Sequence, residues 1–424
     1  MPGLERAPLP APQALSRRAL RILYLHQHYS RPSGSTATRS FRQARALAEA
    51  GHAVTLACGR YRGAVTGIVA PFRAGQRRGA PDGFDVVEFD IAYANAQSLV
   101  ARSGAFLRYA VAASRLALGA RWDLVIASST PLTVALPALL ARRLRGTPFL
   151  FEIRDPWPEL PHALSAQGGA VPGPVLAAMG RLADAACCGA AQIVALTEGM
   201  AATAIARGAD PRAVQVLPQG ADLDLFGPHA VPWRPESVPR NAVLAVYAGA
   251  HGAANGLDQL LDAAALLRDT PLRLLLVGEG ARKAALVARA AAEQLPVLFL
   301  DPLPQPRIVA LLAGADIGLL CLAPVPAFAE LSAPNKLAEA LAAGLPVVAN
   351  VPGCAARLLA EGDCGLAVPP DDPPALAAAL RHLAEDPARR AEMGRAARSL
   401  AESRFDARRI AQDFAALAER AAAR

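Results

Sequence analysis

Lysine is nearly absent from this chain: of 44 basic residues only Lys283 and Lys336 are lysine, and the rest are arginine. The six cysteines, Cys58, Cys187, Cys188, Cys321, Cys354 and Cys364, form no C-x-x-C pair and have no histidine at zinc-site spacing. That excludes a zinc ribbon and a disulfide framework, and predicts buried or idle thiols in a reducing compartment. Long apolar runs are also missing. The uncharged stretches near 124–141 and 163–180 are interrupted by SSTP and GGAVPGP, so no membrane-spanning helix is expected. Residues 1–20 lack the apolar core a signal peptide needs, and the Arg17-Arg18 pair leads into RILYL and then His26, Gln27 and His28. The expectation is a cytoplasmic protein with a floppy N-terminus. A dinucleotide fingerprint is absent too: VGEG (277–280) stands without the rest of a G-x-G-x-x-G.

What is present is an ordinary globular composition, with 53% hydrophobic and 19% charged residues over 424 positions. Such a length is enough for two or three domains. The formal net charge of +8 is spread along the chain rather than gathered in a stripe. No nucleic-acid partner is expected from it, whereas anionic surfaces and phosphorylated substrates are compatible. Short β-like runs alternate with helical stretches: RILYLHQ, a helix over 36–50, AVTLACG, FDVVEFDI, a helix over 98–119, WDLVIASS, PFLFEIRD, QIVALTEG and AVQVLPQG. The Pro-rich stretch GPHAVPWRPESVPR (227–240) breaks the pattern and reads as a linker. The alternation then restarts at NAVLAVYAGA and closes in a helical tail from 373. This predicts an α/β protein of two parallel-sheet domains over 21–226 and 241–400, with a final helix over 401–424 returning to the first domain. Ligands of such sheets bind at the carboxyl ends of the strands, here in the cleft between domains.

The stretch LSAPNKLAEALAAGLPVVA (331–349) carries the most chemistry. Pro334 suits a first helical turn, with Ser332 or Ala333 as cap, and Gly344 suits the end. The free amides of Asn335, Lys336 and Leu337 then form an anion site backed by the helix dipole, to which Lys336 adds a point charge suited to a diphosphate. Glu339 shares that side of the helix, one turn on, where a carboxylate could hold the two hydroxyls of a ribose. A capped surface helix with a Lys336–Glu339 ion pair is the plainer alternative. In the first domain, Gly34 in SRPSGSTATRS follows a strand and could approach a phosphate or sugar closely. FEIRDPWPELPH (151–162) gathers Glu152, Arg154, Asp155, Trp157, Glu159 and His162 after a strand, as a substrate pocket would. Residues 98–121 alternate arginines with Phe106, Leu107, Tyr109 and Leu116, a pattern suited to lying on an anionic membrane or to an ordinary surface helix. Asp222-Leu223-Asp224 is a D-x-D, but it sits in a turn before the linker, and no metal site is expected there.

Over about residues 20–420 these pieces resemble the retaining glycosyltransferases of the GT-B fold with a paired-glutamate motif, glycosyltransferase family 4. The resemblance rests on GHAVTLACG, on LPQGADLDLF (similar to the family's P-N-G-V-D-x-x-x-F), on YAG at 247–249, on VGEG, and on APNKLAEALAAGLPVVA. EIRDPWPE and the GLD of GAANGLDQLL are similar to fucosaminyltransferase-like members that build bacterial O-antigen and capsule. The resemblance implies two facing Rossmann-like domains, a nucleotide-sugar donor, UDP-linked, and no bound metal or cofactor. It implies a polyprenyl-diphosphate-linked saccharide as acceptor, with peripheral contact at the inner face of the cytoplasmic membrane. Gly34, Arg39, Gly249, Gly278, Asn335, Lys336 and Glu339 would then hold the donor. Lys336, Asp155 and Glu330 would serve catalysis, and Arg154, Trp157 and Glu159 the acceptor.

Two departures stand out. Eight positions before Glu339, where the family commonly has its first glutamate, stands Leu331, and Glu330 is one position off. After YAG, where many members carry an arginine and a lysine for the diphosphate, this chain offers His251 and Asn255. Lys336 is therefore the expected phosphate cation, with Arg39 or Arg282 beside it. The implied mechanism has the leaving diphosphate stabilised electrostatically and taking the acceptor proton, with no dedicated nucleophile. A nucleotide-sugar epimerase or hydrolase, or a non-catalytic subunit of the same fold, are the other readings.

Overall fold

The computed structural model describes residues 18–34, 38–94, 97–160, 162 and 171–423. Two sheets organise it. The first has eight strands: β1 (Arg21–Leu25), β2 (Ala53–Tyr61), β3 (Gln76–Gly79), β4 (Asp85–Tyr93), β5 (Leu124–Ser128), β6 (Phe149–Ile153), β7 (Gln192–Ala195) and β8 (Val214–Val216). Their order is β3-β4-β2-β1-β5-β6-β7-β8. Every pairing is parallel except β3 with β4, an antiparallel edge that the alternating pattern does not reveal. β1 and β5 read RILYL and LVIAS with almost every residue buried, as strands covered by helices on both faces must.

The second sheet is wholly parallel, with β9 (Val243–Ala248), β10 (Leu272–Val277), β11 (Val297–Leu300), β12 (Ile317–Leu320), β13 (Val347–Ala349) and β14 (Gly365–Ala367). Its order is β11-β10-β9-β12-β13-β14. Numbered within the domain this is 3-2-1-4-5-6, the doubly wound order whose direction reverses between the first and fourth strands. The reversal lies between β1 and β5 in one domain and between β9 and β12 in the other. Ligand crevices are expected at the carboxyl ends of those strands.

The expected linker carries no helix or strand, but it is pinned to the second domain. Trp233 donates its amide to Ala310 and stacks under the Arg307 guanidinium 3.9 Å from its ring centre, and Arg234 pairs with Asp316 at 2.8 Å. In the tail, Asp372, Asp386 and Asp406 each cap a helix by accepting from the amides of Ala375, Arg389 and Arg408. The chain crosses back where Ala221 exchanges backbone hydrogen bonds with Phe405 and Ala407. The last helix, Ala407–Ala422, packs its apolar face on the first sheet, with Phe414 stacked on Tyr24 at 6.1 Å.

The first-domain helix expected over 36–50 spans Arg39–Glu49, and 35–37 lie outside the described residues. Helix Leu99–Gly119 starts at a Ser98 cap. Among the described residues no helix is long and apolar enough to cross a membrane.

Candidate active site at the carboxyl ends of the two sheets

In the second domain, helix Asn335–Ala342 buries Leu337, Ala338, Leu341 and Ala342 and turns Asn335, Lys336 and Glu339 outward from that stripe. Its cap is Pro334; Ser332, expected in that role, donates its hydroxyl to Phe328 instead. The helix N-terminus sits beside the turn that follows β9. A Cβ added at Gly249 would meet Lys336 Nζ at 3.0 Å, and one at Gly278 (φ +149) would fall 1.9 Å from the Gly249 carbonyl. The two glycines therefore let the turns after β9 and β10 close on each other beneath the lysine. YAG, VGEG and NK, far apart in sequence, meet here.

Lys336 is partly buried and, among the described residues, lies within 4 Å of no carboxylate. Its ammonium donates to the Tyr247 hydroxyl at 2.7 Å and to Asn255 Oδ1 at 3.3 Å, and rests 4.0 Å from the Tyr247 ring centre. Burial pulls its pKa down to about 8, against the opposing pull of Cys321 and Glu339. Burial likewise pushes the Glu339 carboxyl up to about 7, with Arg42 and Lys336 restraining it. The surface ion pair is thus not what forms. Lys283 shows what a paired lysine looks like: its ammonium sits 2.5 Å from Asp301 and 3.6 Å from Glu279.

Two further residues belong to this site: His251, which follows YAG, and Arg42, which no motif marks. His251 is fully buried and neither ring nitrogen has a hydrogen-bond partner among the described residues; burial, then Lys283 and Lys336, lower its pKa, so the imidazole is neutral. Arg42, from the first domain, stands close enough to Glu339 for each to influence the other's charge, and lies 3.5 Å from Asp222. Arg42 could have been found as the residue one turn beyond Arg39 on an amphipathic helix.

Arg39 itself goes elsewhere. Its guanidinium donates to Glu152 at 2.8 Å and to the carbonyls of Pro218 and Leu217, and the Glu152 carboxylate also accepts from Gln43 and Ser128. This cluster is buried, and Glu152 lies inside β6 rather than in the loop after it. Arg282 bonds Asp258 at 3.0 Å. Neither arginine stands free for a phosphate. Gly34 is held within its own loop, where a Cβ would fall 2.1 Å from Ser30 Oγ.

At the carboxyl ends of β1 and β6, Arg154 donates to His26 Nε2 at 2.8 Å, while His26 Nδ1 faces the Ser128 carbonyl at 3.2 Å. Those partners fix the tautomer, Nδ1–H donating and Nε2 accepting. Burial, then Arg154, hold the His26 pKa well below its ordinary value, so it stays neutral. Asp155 accepts from Thr130 at the surface. Glu159 is taken by Arg207 at 2.7 Å. Trp157, Glu159 and Asp155 line a cavity of about 20 Å³, room for roughly one water, which Leu331 of the second domain helps to enclose. Glu330 holds Arg357 through both oxygens at 2.8 and 2.7 Å, within the second domain. Asp222 and Asp224 are drawn to different arginines, Arg42 and Arg408. Among the described residues no three histidines, cysteines or carboxylates cluster as metal ligands would.

Comparison with known proteins fits this architecture. Residues 34–220 match the family described as glycosyl transferase 4-like domain, and residues 242–386 match glycosyl transferases group 1. The chain is 34% identical over 223 residues to a D-inositol 3-phosphate glycosyltransferase of Pseudarthrobacter chlorophenolicus, covering 49% of this chain and 51% of that protein. A namesake from Corynebacterium glutamicum is 33% identical over 201 residues, 44% and 47% of the two chains. The chain thus spans about half the length of the curated relatives it matches. Among solved structures, sucrose-phosphate synthase from Thermosynechococcus elongatus superposes with a TM-score of 0.71 at 18% identity, over 92% of this chain and 96% of that one. Anabaena HepE in complex with UDP superposes at 0.64 and 19%, over 94% and 99%.

Proposed function

We propose that this chain, whose fold is that of GT-B proteins and whose two domains match the 4-like and group 1 glycosyl transferase families, moves a sugar from a nucleoside diphosphate donor to a hydroxyl of a membrane-associated acceptor, retaining anomeric configuration and using no metal. The observation that carries this reading is the Lys336 ammonium, without a carboxylate partner among the described residues, over Gly249 at the N-terminus of helix Asn335–Ala342. Of the three amides expected to be open, that of Leu337 donates to the Pro334 carbonyl at 3.1 Å, so the cation and the first amides of the helix, those of Asn335 and Lys336, form the site for a diphosphate. Charge growing on the leaving group is stabilised there without reorganisation. His251 adds a neutral hydrogen-bonding group, and Asn335 a polar one at the helix start. Glu339 takes the ribose hydroxyls, and Arg42 approaches from the opposite domain. Support for UDP comes from HepE, solved with UDP and with UDP-glucose.

Arg154, steadied by His26, is assigned to a phosphate of the acceptor, with Asp155 beside it. A lipid-linked saccharide in surface polysaccharide synthesis fits the flank of the first domain. Between Ile91 and Phe151 there are seven arginines and one acidic residue, Asp123. On helices Leu99–Gly119 and Ala135–Arg145 of that flank, Val100, Leu107, Val111 and Leu144 are exposed. Such a surface suits reversible, salt-sensitive contact with anionic bilayers. The name of the curated relatives favours a second acceptor, a phosphorylated inositol. Incubation with labelled UDP-sugars and either a polyprenyl-diphosphate-linked saccharide or inositol phosphate tests both. Transfer to the lipid supports the first acceptor and transfer to inositol phosphate the second. Transfer to neither, with no UDP binding by calorimetry, overturns the donor assignment.

A further inference from the structure

Leu331 occupies the position where the resembled family commonly has a glutamate, yet the residue does not face the donor site. It belongs to the second domain and packs against the core of the first, together with Ala333. Its neighbours around the small cavity include Leu132, Phe151, Ile153, Trp157 and Met200. The short helix that carries it, Ala327–Leu331, touches the first domain through main chain as well. The Glu330 carbonyl accepts from the Thr197 hydroxyl at 2.8 Å, and Thr197 in turn caps helix Glu198–Ala206 by accepting from the Met200 amide. Gly199 makes the approach possible, since a Cβ there would lie 2.4 Å from the Glu330 oxygen.

On the other side the same short helix is braced within its own domain. Glu330 grips Arg357 through both oxygens and accepts from Cys354 at 3.0 Å. Gly353 lies so close that a Cβ would fall 2.2 Å from the Ala329 oxygen. From Leu331 the chain needs only Ser332, Ala333 and Pro334 to reach Asn335 and Lys336, and the Ser332 hydroxyl ties that bend to Phe328. A rigid segment therefore joins an apolar contact on one domain to the phosphate-facing helix of the other.

We propose that Leu331 is a hydrophobic peg that seats the second domain on the first, and that turnover requires it seated. It is a positioning residue: it acts through the placement of Lys336 relative to Arg42, Arg154 and Asp155, and touches no reacting atom. The proposal rests on the glycosyltransferase reading for its consequence, but the peg itself is a statement about domain arrangement. A leucine-to-serine change removes most of the apolar burial that favours the seated form, and should shift the seated-to-open ratio by about 10–100-fold.

The test uses the full chain carrying Leu331→Ser, Leu331→Met, Leu331→Glu and, from the other face of the contact, Gly199→Val. Small-angle scattering with and without UDP reads the domain arrangement, calorimetry reads UDP affinity, and steady-state assays read kcat and KM. The serine, glutamate and valine variants should each be more extended and lose about tenfold or more in kcat. UDP affinity should change by less than about threefold, and the methionine variant should match wild type. Two results overturn the peg: scattering and kcat unchanged in both Leu331→Ser and Gly199→Val, or a rise in kcat in Leu331→Glu. The second would mean that the position is a lapsed carboxylate. If the wild-type chain binds no UDP, the donor reading fails, while scattering still decides the peg.

Discussion

Arg39 in the first domain and Lys336 in the second are both drawn back from bulk water, but on opposite terms. Each nitrogen of Arg39 has an acceptor, a carboxylate or one of two carbonyls, and Glu152 accepts in turn from Gln43 and Ser128. Lys336 has a hydroxyl, an amide oxygen and a ring face, but among the described residues no carboxylate within 4 Å. A buried charge whose three nitrogens each have an acceptor, one of them a carboxylate, holds the fold together and has little left for a ligand. One that lacks its counter-charge is poised to gain from an anion that arrives later. The difference separates a residue whose loss should unfold the protein from one whose loss should slow it.

The largest effect expected is on the partnered side. Arg39→Ala strands Glu152 inside β6 and should cost about 3–5 kcal/mol of stability, read as a lowered midpoint in urea unfolding. A loss below ~1 kcal/mol would show that the cluster is not what ties helix Arg39–Glu49 to the sheet. Next comes Glu339, where alanine should remove charged hydrogen bonds to the ribose and cost about 1.5–3 kcal/mol, or roughly 10–150-fold in kcat/KM for the donor.

The same pair of residues sets a pH profile. The Glu339 carboxyl, raised to about 7, is needed ionised, so donor kcat/KM should climb as pH rises through that value. The Lys336 ammonium, lowered to about 8, is needed protonated, so kcat/KM should fall again beyond it. Glu339→Gln should flatten the acid limb alone; a profile level from pH 6 to 9 would separate both groups from donor capture. The smallest effect is expected at the half-exposed Glu330–Arg357 pair, where Arg357→Ala should cost under ~1 kcal/mol in thermal stability.

These residues also show how far the sequence could be read. The alternation of apolar runs and helices marks both sheets, because strands covered on two faces must be continuously hydrophobic, as in LVIAS and LRLLLV. Glycines after β9 and β10 and the Pro-Asn-Lys helix start mark the turn to which the diphosphate is assigned by proposal, since backbone can only close up where no Cβ intervenes. The edge strand β3 (QRRG) has no apolar face to announce it. The fate of Arg39 was legible from a residue elsewhere: a glutamate inside FLFEI must find a cation. Which arginine of SFRQAR supplies it depends on the helix's rotation against the sheet, a tertiary fact. Leu331 gave the weakest signal, because a missing glutamate says nothing of what a leucine touches.

The central claim is that Lys336 serves the leaving diphosphate and not the fold. Single-turnover transfer and thermal unfolding, measured on the same Lys336→Ala protein, test it most directly. The account predicts a chemical step slowed by about 10²–10³-fold, a smaller change in donor KM, and a melting temperature within a few degrees of wild type. Lys336→Arg should recover only part of the rate, because a planar fork replaces a point charge. A melting temperature slightly lowered with the chemical step untouched would contradict the claim and make Lys336 a structural neighbour of Tyr247.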